Sequence, residues 1–184
     1  MNTQKYRLVA SREEVDDIIA RIAKEILSDY NGEHPLFVAL LRGANPFTSK
    51  LMYQIARLSP EFHPDIDYMT VSTYGDSYEA RTPKIITDLS PTTELSGRDV
   101  IIIDDVLDLG ITADFVRDHL LTCGAKNVKL AVLVNKSVSR IKSVHADYSG
   151  ITANDAWLVG MGMDDAKSGR EHYRWLDEIW EIIR

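Results

Sequence analysis

Val100-Ile101-Ile102-Ile103-Asp104-Asp105-Val106-Leu107-Asp108-Leu109-Gly110-Ile111-Thr112 decides the fold of this 184-residue chain. Val100–Ile103 has no polar face to turn toward water, so it reads as the end of a strand, Asp99–Ile103, buried on both sides. A loop, Asp104–Ile111, follows it. Thr112–Cys123 then reads as an amphipathic helix, Gly124 stops it, and Val128–Val134 is a second apolar strand. Two buried strands joined by a helix make a βαβ unit, which needs a parallel sheet with helices on both faces. The expected class is therefore α/β, a parallel twisted sheet flanked by helices. Ligands of such sheets bind beyond the carboxyl ends of the strands, which is where Asp104, Asp105 and Asp108 fall.

The acidic loop has its own chemistry. Backbone N–H groups from Leu109 to Thr112 point outward at a helix N-terminus and suit a phosphate, with Gly110 allowing close approach. A helix cap needs one carboxylate, whereas three within five residues repel one another. They call for a partner other than the phosphate, and either a polyol or a magnesium ion satisfies carboxylate oxygens.

Outward from this unit, Ser11 and Glu14 have capping-box spacing. Val15, Ile18, Ile19, Ile22, Ala23, Ile26 and Leu27 then form one helical stripe, taken as the first element and stopped by Asn31-Gly32. Leu36–Leu41 reads as a buried strand and Phe47–Leu58 as a helix. Ile66–Thr73 reads as another strand, Tyr74–Pro83 as a loop and Lys84–Leu89 as a short strand. At the chain's end Tyr173, Leu176, Ile179, Trp180 and Ile183 fit a helical period.

Hydrophobic residues at 45% and charged residues at 27% are ordinary globular values. The net charge of −7 argues against a nucleic-acid or membrane-surface binder. No apolar run approaches the about 18 residues of a spanning helix, and Met1–Asp17 has no signal-peptide core, so a cytoplasmic location is expected. The one cysteine, Cys123, cannot form an internal disulfide; lying near a helix end with no local base, it reads as buried. The five histidines show no metal-ligand spacing.

The acidic stretch resembles the phosphoribosyl-diphosphate (PRPP) signature of the type I phosphoribosyltransferases. The wider chain is similar to the hypoxanthine-guanine phosphoribosyltransferase family, through four further segments in the expected order. These are Leu40-Leu41-Arg42-Gly43-Ala44 (pyrophosphate loop), Val71-Ser72-Thr73-Tyr74-Gly75-Asp76 (start of a flexible lid), Val132-Leu133-Val134-Asn135-Lys136 (strand ending in a base-recognising lysine) and Trp157-Leu158-Val159-Gly160-Met161-Gly162-Met163-Asp164 (purine-stacking segment). The resemblance implies a single domain over residues 1–184, with a small hood built from the chain ends and residues 136–184 forming much of it.

It also implies roles. Asp104 and Asp105 would bind the ribose hydroxyls beside magnesium, and Asp108 would be the catalytic residue that manages the proton on purine N7. Asp108, Leu109, Gly110, Ile111 and Thr112 would hold the 5′-phosphate. Arg42, Gly43, Thr73 and Tyr74 would meet the pyrophosphate, together with either Arg170 or, in the preferred alignment, Arg174. Lys136 would donate to a 6-oxo group, Trp157 would stack on the purine, Leu158 would read its edge through the backbone, and Asp164 would support a second magnesium ion. The sequence departs from the pattern at Asp104, where Glu is usual, at Leu109, where Thr is usual, and at Trp157, where a smaller aromatic is usual. Loss of the threonine hydroxyl should weaken PRPP binding by about 1.5–3 kcal/mol at most.

The activity so implied is transfer of ribose 5-phosphate from PRPP to hypoxanthine or guanine, or to xanthine, in purine salvage. The rivals are a non-catalytic regulatory nucleotide-binding protein and an enzyme of the same fold acting on another base. The family's assemblies imply a homodimer or homotetramer, and its proteins often end in a strand rather than the helix suggested by the local period.

Overall fold

A computed structural model describes residues 5–30, 32–72, 82–137, 141–165 and 171–183. The central βαβ unit is β5 (Asp99–Leu107), α3 (Ile111–Thr122) and β6 (Asn127–Lys136), with the two strands parallel and Val100 opposite Val128. Further strands are β2 (Leu36–Leu41), β3 (Asp65–Ser72), β4 (Lys84–Thr87) and β7 (Tyr148–Ala153). They complete a six-stranded sheet of order β4-β3-β2-β5-β6-β7, parallel throughout except for β4 at one edge.

The alternation along β5 explains the layering. Ile101 and Ile103 face one way, into a core with Phe37 and Ala39 of β2 and the apolar stripes of α1 (Arg12–Asp29) and α2 (Asn45–Leu58). Val100 and Ile102 face the other way and meet Val116 and Leu120 of α3. A strand so covered must be apolar at every position, as Val100–Ile103 is.

α1 begins as its sequence predicts. The Ser11 hydroxyl accepts from the Glu14 amide, and the Glu14 carboxylate accepts from the Ser11 amide at 2.8 Å. Ser11→Ala removes one half of this box and is expected to lower stability by about 1 kcal/mol, measurable as a fall in denaturant midpoint at unchanged slope.

Three expectations need correction. The first element is not α1, because β1 (Tyr6–Ala10) precedes it. The chain ends in a strand, β9 (Ile179–Ile182), although the local spacing fits a helix. Tyr173 adopts a left-handed φ of 68° that breaks helical continuity, and β9 pairs antiparallel with β1, Tyr6 opposite Ile182 and Leu8 opposite Trp180. Long-range pairing outweighs local period here. With β8 (Leu158–Val159) these strands make a separate three-stranded sheet of order β1-β9-β8, the hood formed from the two ends of the chain. Finally, β5 runs four residues past Ile103, so Asp104 and Asp105 lie within the strand rather than in a loop. Its ladder to β6 continues, with Leu107 opposite Asn135, and holds these carboxylates on a rigid element.

Candidate active site

At the carboxyl end of β5 two carboxylates stand side by side, Asp105 buried and Asp104 partly buried. Burial and the neighbouring Asp105 push the Asp104 carboxyl well above the usual carboxylate range. Burial also raises Asp105, against hydrogen bonds and the nearby Arg174 charge that pull it down. Asp105 is only 9% exposed, and its Oδ1 accepts from the Val106 amide at 3.0 Å. An ordinary protein gains nothing from such a pair. Polyol hydroxyls or a cation would relieve both groups.

Beyond β5 the chain turns through Gly110, whose φ of 78° is left-handed, directly into α3. The carbonyl of Leu109 accepts from the amides of Ile141 and Lys142, at 3.0 and 3.2 Å, so the loop is braced from behind. A Cβ on Gly110 would come within 3.2 Å of the Lys142 carbonyl, which explains the glycine. The first-turn amides of α3 lack intrahelical acceptors, as in any helix. They open onto a cavity of about 250 Å³ lined by residues 104–113.

A second cavity, of about 160 Å³, shares Asp105, Val106 and Asp108 with the first. Lys136, Trp157, Leu158, Met163 and Asp164 complete its walls. Because β5 and β6 are in register, Asp108 and Lys136 emerge side by side, with Lys136 Nζ 3.1 Å from Asp108 Oδ2. Lys136 is not a solvated strand-end lysine: its side chain is 11% exposed. The indole N–H of Trp157 donates to the Asp164 carbonyl at 3.2 Å, which fixes the ring plane.

The third wall is backbone. The Leu41–Arg42 peptide is cis, and Gly43 then lies against Asp105: a Cβ on Gly43 would stand 2.5 Å from the Asp105 carboxylate. Gly162, with a φ of 104°, closes on Gly43 from the hood, and its own Cβ would overlap the Gly43 carbonyl. Arg174 donates to the Gly162 carbonyl and, at 2.7 Å, to Asp164 Oδ2. The side chain of Arg42 forms an ion pair with Glu171.

Asp104, Asp105, Asp108, the Leu109–Thr112 turn, Lys136, Trp157, Leu158 and Asp164 thus line two cavities with shared walls, while Gly43 lies against Asp105 and Arg174 holds Asp164. Thr73, Tyr74, most of the Tyr74–Pro83 loop and Arg170 lie outside the described residues. Asp164 is held by Arg174 rather than grouped with Asp104 and Asp105, and among the described residues no three acidic, His or Cys side chains converge on one point. Gly162 and Met163 belong to the purine-stacking segment but carry no role of their own in the sequence, and Glu171 falls outside every quoted segment. The Gly160-Met161-Gly162 spacing was the one available signal for Gly162, and nothing local marks Glu171. Cys123 is exposed rather than buried, its Sγ 3.8 Å from His119 Nε2, because it caps α3 on the side away from the core.

A sheet of this order, with an acidic strand end feeding a phosphate-sized turn under a hood from the chain ends, defines a type I phosphoribosyltransferase. The family model for the phosphoribosyl transferase domain matches residues 11–166, and the chain belongs to that family. It is 33% identical over 174 residues to the hypoxanthine-guanine phosphoribosyltransferase of Bacillus subtilis, covering 94% of this chain and 91% of that protein. It is 34% identical over 180 residues to the bifunctional protein TilS/HprT of Listeria innocua, where 97% of this chain spans about a quarter (26%) of the relative's length. A crystal structure of a hypoxanthine phosphoribosyltransferase from Staphylococcus aureus superimposes with a TM-score of 0.87 at 27% identity, covering 100% of this chain and 96% of that one.

Proposed function

We propose that this chain transfers ribose 5-phosphate from PRPP to N9 of a 6-oxopurine, releasing pyrophosphate, in purine salvage. The observation that carries the reading is the Asp108–Lys136 pair at 3.1 Å, set where the two cavities join. O6 and N7 share one edge of a 6-oxopurine. An ammonium offers O6 a donor, and a carboxylate beside it accepts the N7 proton as the glycosidic bond forms. Adenine presents a donor at position 6 and meets the lysine badly.

The remaining roles follow from position. Trp157, oriented through its N–H, offers a stacking face, and Leu158 offers its backbone to the base edge. The turn from Leu109 to Thr112 supplies amides for the 5′-phosphate, and Asp104 and Asp105 accept from the ribose hydroxyls. Arg42, Gly43 and Arg174 form the pyrophosphate side, to which Thr73 and Tyr74 are assigned by the family resemblance alone. Magnesium suits the Asp104–Asp105 pair, which would hold one ion alongside PRPP oxygens, and Asp164 would support a second through water; bound there, the metal would neutralise charge on the departing pyrophosphate. The carboxylates around the ribose tolerate positive charge developing at its anomeric carbon.

No helix among the described residues is long and apolar enough to cross a membrane; a cytoplasmic location is part of the proposed reading. Ile66 and Tyr68 of β3 and Ile86 of β4 leave apolar surface exposed on adjacent strands, which supports self-association as a homodimer or homotetramer.

An absorbance assay with PRPP, magnesium and, separately, hypoxanthine, guanine, xanthine, adenine and uracil tests the reading. Turnover on one or more 6-oxopurines and not on adenine or uracil is expected; silence on every 6-oxopurine overturns it. Lys136→Met should lower kcat/KM on the 6-oxopurine by about 10- to 150-fold, the value of one hydrogen bond to a charged donor. Discrimination against adenine should shrink with it.

A further inference from the structure

Glu171 stands between the two cations that the proposed function gives to pyrophosphate. Its Oε1 is ion-paired with Arg42 Nη1, and its Oε2 lies 3.6 Å from Arg174 Nε. The second distance is too long for a hydrogen bond. Arg174 Nε is buried and has no hydrogen-bond partner among the described residues, while the other nitrogens of that guanidinium are committed to Gly162 and Asp164. A carboxylate therefore occupies the space between two guanidinium groups without satisfying both. A diphosphate, with more acceptor oxygens and a wider span, can serve both at once.

We infer that Glu171 is a specificity-determining residue, an internal anion that holds the place of the pyrophosphate group between Arg42 and Arg174 and is exchanged for it on binding. The inference rests on the reading of Leu40–Ala44 as the pyrophosphate loop. Exchange is cheap, because the Arg42 side chain is 73% exposed and its pair with Glu171 is a surface one. The competing carboxylate lowers the affinity for any ligand bearing the diphosphate and leaves the monophosphate nucleotide untouched. It therefore favours departure of pyrophosphate after each turnover, a step that limits many enzymes.

The test is calorimetric titration of the full chain with inorganic pyrophosphate plus magnesium and, separately, with inosine 5′-monophosphate. Glu171→Gln should tighten pyrophosphate binding by about 2- to 5-fold, the range expected for loss of one competing surface ion pair. Nucleotide affinity should stay the same, and Arg42→Met should weaken pyrophosphate alone. Unchanged or weakened pyrophosphate binding in Glu171→Gln, with Arg42→Met still weakening it, overturns the role of Glu171 and leaves the loop assignment standing. If Arg42→Met leaves pyrophosphate binding unchanged, the loop assignment itself fails and takes the inference with it. Equal shifts for both ligands in Glu171→Gln would mark a structural effect and also overturn it.

Discussion

Asp108→Asn is expected to lower kcat by about 10²- to 10⁴-fold, the usual contribution of a positioned proton-transfer group. Asn keeps the shape and can still hydrogen-bond, but it cannot take up a proton from N7 as the bond to N9 forms. The residue follows β5 at the rim of both cavities, 42% exposed as a side chain, so folding should hardly notice the change. Two effects can be separated. The loss of a charged partner for Lys136 acts on the ground state and should appear in the KM for the base. Loss of proton acceptance acts only in the transition state and should appear in kcat. Steady-state absorbance kinetics with each substrate varied in turn resolve them. A fall in kcat of less than tenfold would remove Asp108 from the role of proton acceptor, even if the base still binds beside Lys136.

Much of this architecture is legible locally because the physics behind it is local. Val100–Ile103 is apolar at every position since both faces of β5 are covered, and Ser11 and Glu14 announce a helix start through residues three apart in sequence. Asp104, Asp105, Asp108 and Gly110 sit within one stretch, so their joint meaning survives in sequence order. The hood does not: Tyr6 pairs with Ile182 across nearly the whole chain, and the residues of β9 fit a helical period locally. Lys136 shows its position after an apolar strand but not its burial or its partner, which follow from the register of β5 on β6. Glu171 is one acidic residue among 28 Asp and Glu until the fold brings it to Arg42. What the local reading lacks is tertiary pairing, and pairing across the hood is also what brings the two sides of the site together.

That last step makes Gly162 the most sensitive backbone position in the site. Its φ of 104° disfavours any side chain, and a Cβ there would overlap the Gly43 carbonyl and come within 3.3 Å of Asp105 Cβ. Neither obstacle is a flexible side-chain tip. Gly162→Ala must therefore push the hood away from the pyrophosphate loop or distort one of them. Left-handed strain and overpacking together should cost about 2–5 kcal/mol of stability. A displacement of about 1 Å in substrate-positioning backbone should cost about 10²-fold in kcat/KM. Gly97→Ala supplies the control, since Gly97 also has a positive φ, 73°, yet a Cβ there meets nothing within 4 Å. Gly97→Ala should lose about 1–2 kcal/mol to strain alone and keep its turnover. Thermal melts and steady-state kinetics on both variants distinguish the cases. If Gly162→Ala loses stability but turns over like Gly97→Ala, the close approach of Gly162 to Gly43 serves the fold only; loss of activity beyond what unfolding accounts for shows that the hood sets the geometry of the pyrophosphate loop.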